Sequence, residues 1–303
     1  MADPPARVAV VGDLVTDVLA VLAGPLAAGS DTPATVRMTG GGQGANTAAW
    51  LAWHGARVSL VAAVGTDDAA TARLAELAGY GVRCAIRRHP GAATGSVVVV
   101  ASGTERTMLT DRGANLLLSP ADVATALGDA ADLVHLHLSG YTLLDDASRP
   151  AGLRALALAR ERGLTTSVDA ASAGPLRRVG PSAFAAWIRG VDLLLANTDE
   201  ATALVGAGSP GRQAGALTGL ARAAVLKRGA SGAVWAQPDG GLVAVPAEPA
   251  DAVDATGAGD AFAAGVLVAW LAGRPPQEAL RAGAAAGALA VSRLGARPPT
   301  RPG

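Results

Sequence analysis

Among 303 residues there is one cysteine, Cys84, one lysine, Lys227, and only 3% aromatic side chains. A lone cysteine closes no internal disulfide and lacks a thiolate partner for zinc, which fits a reducing cytoplasm. Lys+Arg and Asp+Glu balance at 25 each, so no long-range field draws nucleic acid or an anionic membrane, and neither is expected as a partner. Long apolar runs are missing too: Ala261 to Gly273 lies between Asp260 and Arg274 and is too short to span a bilayer. Met1 to Val11 carries Asp3 and two prolines before a short apolar run, unlike the basic start of a signal peptide, and is read as unprocessed. The near-exclusive use of arginine, beside abundant alanine and glycine, reflects genomic base composition.

Two nucleotide-binding signatures are absent. No Gly-x-x-x-x-Gly-Lys-Ser/Thr occurs, since Arg228 follows Lys227, so P-loop chemistry is excluded; no His-Arg-Asp or Asp-Phe-Gly marks a protein kinase.

Half of the residues are hydrophobic, enough for a large core. Short apolar runs alternate with alanine-rich helical stretches, the pattern of a parallel sheet covered by helices on both faces. Strands are predicted at 7–11, 58–64, 133–138, 165–169, 193–196 and 224–227. Helices are predicted at 45–54, 68–78, 120–127, 148–162, 199–205, 211–222, 259–272 and 276–293. Segments 15–39 and 96–109 break the rhythm with β-branched, alternating residues and are expected to pair as a small lid sheet. The fold class is therefore α/β: three layers, α/β/α, with a mostly parallel central sheet and a β lid, in a single domain over 1–303. The proline-rich end, 298–303, is expected to fray.

The most informative segment is Asp254-Ala-Thr-Gly-Ala-Gly-Asp260, just before a long apolar helix. Gly257 and Gly259 let backbone N–H groups converge at a helix N-terminus, where they and the dipole favour an anion such as phosphate. Asp260, beside them, is placed to take a proton from a hydroxyl; it could equally be a helix N-cap. A second glycine cluster, Thr39 to Asn46, offers close backbone approach and two amide side chains, Gln43 and Asn46, that match sugar hydroxyls; a plain loop-to-helix connection is the alternative. Asn197-Thr-Asp-Glu200 follows an apolar strand, and its oxygens suit Mg²⁺ through water, or else Asn197 or Thr198 caps a helix. Lys227-Arg-Gly-Ala-Ser-Gly232 ends another strand and can line a nucleotide pocket. His135 and His137 are expected to face opposite sides of their strand, against a two-histidine metal site.

Taken in order, these stretches resemble the ribokinase-like (PfkB) carbohydrate kinases over nearly the whole chain. The matching motifs are Gly12-x-x-x-x-Asp17; Gly41, Gly42 and Asn46; Asn197-x-x-Glu200; and Asp254 to Asp260. Gly103 to Thr107 and Asp111 to Asn115 are similar to the family's lid strand and the turn after it. The resemblance implies that Asp17, Gly42 and Asn46 bind sugar hydroxyls and that Asp260 is the base. It further implies that the amides of Gly257, Ala258 and Gly259 form an anion hole, that Asn197 and Glu200 organise Mg²⁺ with ATP, and that Lys227 and Gly229 lie near the nucleotide. Asp254, Thr256, Ala290 and Gly295 match the family's monovalent-cation loop, with Pro299 where ribokinase proper has serine, so K⁺ is a further expected ligand. Gln43 and Val15 stand where ribokinase proper has lysine and asparagine, which leaves the acceptor open among ribose, other pentoses, hexoses and nucleosides. A cytoplasmic homodimer joined through the lid is expected, with a sugar-binding sensor as the non-enzymatic alternative.

Overall fold

The computed structural model describes residues 6–299 apart from 103, 104, 129 and 131. The expected lid residues Gly103 and Thr104, the start of the chain and the tail from 300 lie outside the described residues.

Among the described residues thirteen strands are interspersed with helices: β1 Arg7–Val11, β2 Val15–Leu22, β3 Ala34–Gly41, β4 Arg57–Val64, β5 Arg83–Arg88, β6 Gly95–Ser102, β7 Glu105–Asp111, β8 Leu133–Ser139, β9 Thr165–Asp169, β10 Leu193–Asn197, β11 Ala223–Lys227, β12 Ala233–Ala236 and β13 Leu242–Val245. Nine form a central sheet in the order β13-β12-β11-β10-β9-β8-β1-β4-β5. Its pairs are parallel from β11 to β5 and antiparallel only at β11/β12 and β12/β13.

Strict alternation along the inner strands builds two cores. In β1, Ala9 and Val11 enter one apolar cluster and Val8 and Val10 the other; in β10, Leu194 and Ala196 separate from Leu193 and Leu195 in the same way. Burial on both faces is why these strands read as continuous apolar runs. One face is covered by Gln43–Trp53, Ala258–Leu271 and Pro276–Val291, the other by helices that include Arg149–Glu161 and Thr198–Val205. The C-terminal ends of β1, β8, β9, β10 and β11 therefore open on one edge, where ligands bind in open α/β sheets.

The four remaining strands form the lid sheet β3-β2-β6-β7, in which β2 pairs parallel with β6. The two expected lid segments do come together. Asp17 shares a face with its partners Thr39 and Val97, whereas Val18, Met38, Val98 and Leu109 occupy the opposite face.

Several elements differ from expectation. The edge strand β5 carries three arginines in six residues, which hid it from a reading based on apolar runs. The short hairpin β12–β13 and the helices Ala173–Val179 and Pro181–Trp187 were also not anticipated. The helix expected over 211–222 spans Pro210–Leu217 instead, because Thr218 and Gly219 disfavour its continuation. Among the described residues no helix is long and apolar enough to cross a membrane.

The chain's last described segment is tied back to the core through Trp50, fully buried, whose indole N–H donates to Ala296 O at 3.0 Å. Trp50→Phe leaves that carbonyl without its donor and a void where the outer part of the indole packed. A loss of about 1–3 kcal/mol is expected in urea denaturation, with an unchanged m value.

Candidate active site

The site begins with a left-handed residue. Gly257, at φ +74°, precedes the helix Ala258–Leu271, and a β-carbon there would fall 2.6 Å from Ala296 Cα, so only glycine makes this turn without strain. The turn leaves the amides of Gly257 and Gly259 without a backbone acceptor among the described residues, while Ala258 N–H donates to Ala255 O at 3.3 Å. Of the three amides expected to hold an anion, two are thus free of the backbone at the positive end of a 14-residue helix.

Asp260 is the third residue of that helix and does not cap it; Gly257 occupies the cap position. Its carboxylate instead accepts from Asn46 Nδ2 at 2.8 Å. Asn46 sits in the first turn of the helix Gln43–Trp53, which starts at Gly42, a residue at φ +94° packed on the backbone of Asp13. The two glycine turns therefore bring two helix N-termini together. Asn46 is buried, and its Oδ1 has no hydrogen-bond partner among the described residues, leaving an acceptor suited to a hydroxyl. Burial pushes the Asp260 carboxyl up to about 8, against the lowering effect of the Asn46 hydrogen bond and Lys227 and with the help of Asp169.

Asp17 packs against Gly41, where a β-carbon would meet its Oδ1 at 2.2 Å, and Arg297 interacts electrostatically with both Asp17 and Asp260. Burial raises Asp17 to about 6, opposed by Arg297. Arg297 itself reaches Gly41 O at 3.3 Å and Glu76 at 3.4 Å. Gln43 Nε2 donates to Asp169 Oδ1 at 3.0 Å, and its Oε1 accepts from Ser139 Oγ at 2.6 Å. Asp17, Gly41, Gly42, Gln43, Asn46 and the 257–260 turn thus occupy one region.

Asn197 and Glu200 form a reciprocal capping box. Glu200 N–H donates to Asn197 Oδ1 at 2.9 Å, and the Asn197 N–H and Nδ2 each donate to one Glu200 oxygen at 2.7 Å. The capping alternative is therefore present, and each carboxylate oxygen keeps a lone pair for a water on a metal. Burial lifts Glu200 to about 7, opposed by Lys227. Lys227 ends β11 and pairs with Asp169 at 2.5 Å. Gly229 is exposed in the turn beyond it, and Gly232 packs its Cα on Val245 O. Asp254 gathers the expected cation loop: its Oδ1 accepts from Thr256 N–H and O–H, its Oδ2 from Gly295 N–H at 3.0 Å, and Ala290 O accepts from Arg293 N–H.

The expectation for the two histidines is wrong. Residues two apart on a strand share a face, and His135 and His137 both contact the Ser167 hydroxyl at 2.8 Å. Burial depresses them to about 3 and about 4, so both are neutral. Among the described residues no group of three or more His, Cys, Asp or Glu could hold a metal. The site residues that the motifs did not flag are Asp13, Ser139 and Asp169, each at or just beyond the C-terminal end of an inner strand; that position was the available signal.

The sequence model of the pfkB family carbohydrate kinases matches residues 5–302. An ATP-dependent ribose-1-phosphate kinase of Halopiger xanaduensis is 33% identical over 281 residues, covering 90% of this chain and 87% of its own. The crystal structure of adenosine kinase from Sinorhizobium meliloti superposes with a TM-score of 0.87 at 24% identity, covering 97% of this chain and 96% of that one. An E. coli protein described as a ribokinase II, solved with ATP and Mg²⁺, superposes with a TM-score of 0.83 at 23% identity, covering 96% and 94%.

A carboxyl raised on folding stays protonated in the native state while its unfolded counterpart ionises, so stability falls as pH rises from the ordinary value of 3.8 to about 8. Asp260→Asn removes that dependence. Thermal melts are expected to show a gain in Tm for the variant that grows across this window and then levels off.

Proposed function

The chain belongs to the pfkB family of carbohydrate kinases, and on that premise we propose that it transfers the γ-phosphoryl group of ATP to the hydroxymethyl group of a small sugar, with Asp260 as base. The observation that carries this reading is the contact between Asn46 and Asp260 at the mouth of a helix, beside the Gly257 and Gly259 amides that have no backbone acceptor among the described residues. Asp17, the Gly41–Gly42 backbone, Gln43 and Asn46 hold the acceptor hydroxyls. Asp260, oriented by Asn46, takes the hydroxyl proton as the acceptor oxygen bonds to the γ-phosphorus. The bond from that phosphorus to the bridging oxygen breaks, and its electron pair leaves on ADP. The Gly257 and Gly259 amides and the helix dipole oppose the charge spread over the transferring group.

Asn197, Gly229 and Gly232 are proposed to border the nucleotide, and Glu200 to hold Mg²⁺ through water. That ion, when bound, supplies charge neutralisation for the phosphates. K⁺ activation is proposed for the loop in which Asp254 draws residues 254–256 and 295 into one turn. Closure of the lid strands 15–39 and 96–109 over the sugar would exclude water and limit ATP hydrolysis. The lid face turned away from Asp17 exposes Val36, Met38 and Leu109, which supports a homodimer through the lid. With a single thiol, this is proposed as a cytoplasmic enzyme.

Ribose and ribose 1-phosphate are the first acceptors to test, because the 33%-identical relative acts on ribose 1-phosphate. A nucleoside acceptor is the second reading, favoured by the overlay on adenosine kinase.

A panel of ribose, ribose 1-phosphate, fructose, adenosine and pseudouridine with coupled ADP detection is expected to show acceptor-dependent ADP release. Saturable sugar binding without ADP would mark a sensor. In the same assay Asp260→Asn should lower kcat by about 10³-fold or more while sugar and ATP binding persist; substantial residual turnover contradicts the base role.

A further inference from the structure

Lys227 is the only lysine among 25 basic residues, and it lies inside the site. Every other cation is arginine, so the exception falls where cation geometry matters most. Its stem rises from the end of β11, its side chain is 12% exposed, and its ammonium meets Asp169 Oδ2 at 2.5 Å. The same ammonium lies 3.5 Å from where a β-carbon on Gly259 would be, under the first turn of the Asp260 helix. A guanidinium is planar and wide; an ammonium is a compact point charge with three donors that fits between a strand end and a helix turn.

Asp169 holds more than this cation. Its Oδ1 accepts from Gln43 Nε2 at 3.0 Å and from Ala171 N–H at 3.2 Å. Ala171 has φ +73°, and it is the non-glycine residue at positive φ among those described, a strained turn of the sort that persists where surroundings over-determine it. Gln43 continues to Ser139 at 2.6 Å, and Ser139 Oγ reaches Asp13 Oδ1 at 3.3 Å. One line of polar contacts therefore crosses the strand ends from the acceptor side to the anion side.

We propose that Lys227 is a catalytic cation of phosphoryl transfer, acting beside the Gly257 and Gly259 amides, and that Asp169 is the positioning residue that fixes it and registers it against Gln43. The proposal rests on the kinase reading above. As negative charge spreads over the transferring phosphoryl oxygens, the ammonium turns toward them from Asp169; no proton leaves it, and no bond other than those of the transfer changes. A salt bridge serving only stability is poorly supported here, because desolvating both ions offsets most of their attraction. Burial alone would lower the lysine's pKa, but Asp169 and Glu200 hold it above the ordinary value, so it stays charged.

The test uses the full chain and its Lys227→Met, Lys227→Arg and Asp169→Asn variants. Affinities are measured for ADP and for ADP with aluminium fluoride, which stands for the transferring phosphoryl group. The Asp260 carboxyl, faced by Asn46, Asp13, Asp169, Lys227 and Arg297, is followed by ¹³C NMR. Lys227→Met is expected to bind ADP about as well as the parent and the fluoride complex about 100-fold more weakly. Its Asp260 midpoint should rise by about one pH unit or more, and that of Asp169→Asn should fall. Lys227→Arg should recover less than half of the lost fluoride-complex affinity. Equal losses for both ligands, or an unmoved Asp260 midpoint, in a variant that melts like the parent would overturn the proposal. If Lys227→Met does not fold, Asp169→Leu with Lys227→Met, which leaves neither charge unpaired, is read in its place. A parent chain that binds the fluoride complex no better than ADP overturns the kinase reading itself, whereas tight binding retained by Lys227→Met sinks only the lysine.

Discussion

The hydrogen bond from Asn46 to Asp260 joins two residues 214 positions apart in the chain. It forms only because two separate glycine turns, at Gly42 and Gly257, aim the N-termini of two packed helices at one point. Each helix contributes a positive end, and the carboxylate stands between them. The rest of the molecule serves that meeting. The nine-stranded sheet fixes where both helices start, the apolar face of each helix locks its roll, and the Trp50 bond to Ala296 holds the final segment against the Gly257 turn.

The same packing sets the electrostatics. Burial raises both carboxyls, Asp260 to about 8 and Asp17 to about 6. Lys227 and Arg297 keep either from rising further. A base held near the working pH accepts a proton readily and releases it as readily, which is what transfer from an unactivated hydroxyl requires. In the proposed transfer, helix ends and fixed cations would supply the charge stabilisation that phosphoryl transfer draws on.

Much of this was legible in the sequence, for a physical reason: inner strands buried on both faces cannot hide. Arg7–Val11 and Leu193–Asn197 announce themselves as apolar runs, and glycines before long apolar helices mark turns with few alternatives. Asp260 and Asn46 could be named because their motifs pair a special backbone with a polar side chain. Arg83–Arg88 could not be read as a strand, since at an edge its arginines face solvent. Asp169 and Ser139 were invisible for another reason: a polar residue ending an apolar strand is common, and only the side-by-side register of β8 and β9 makes these two part of a site. The histidines show the cost of a wrong period, since two positions along a strand return the side chain to the same face.

The most direct measurement of the central claim is the pH dependence of kcat/KM for the acceptor. If Asp260 in the free enzyme is the base, activity should climb with a single ionisation near about 8 and level off above it. A profile that stays flat from about pH 5 to about pH 9 would mean that no carboxyl held this high takes the proton, and the assignment of Asp260 would fail.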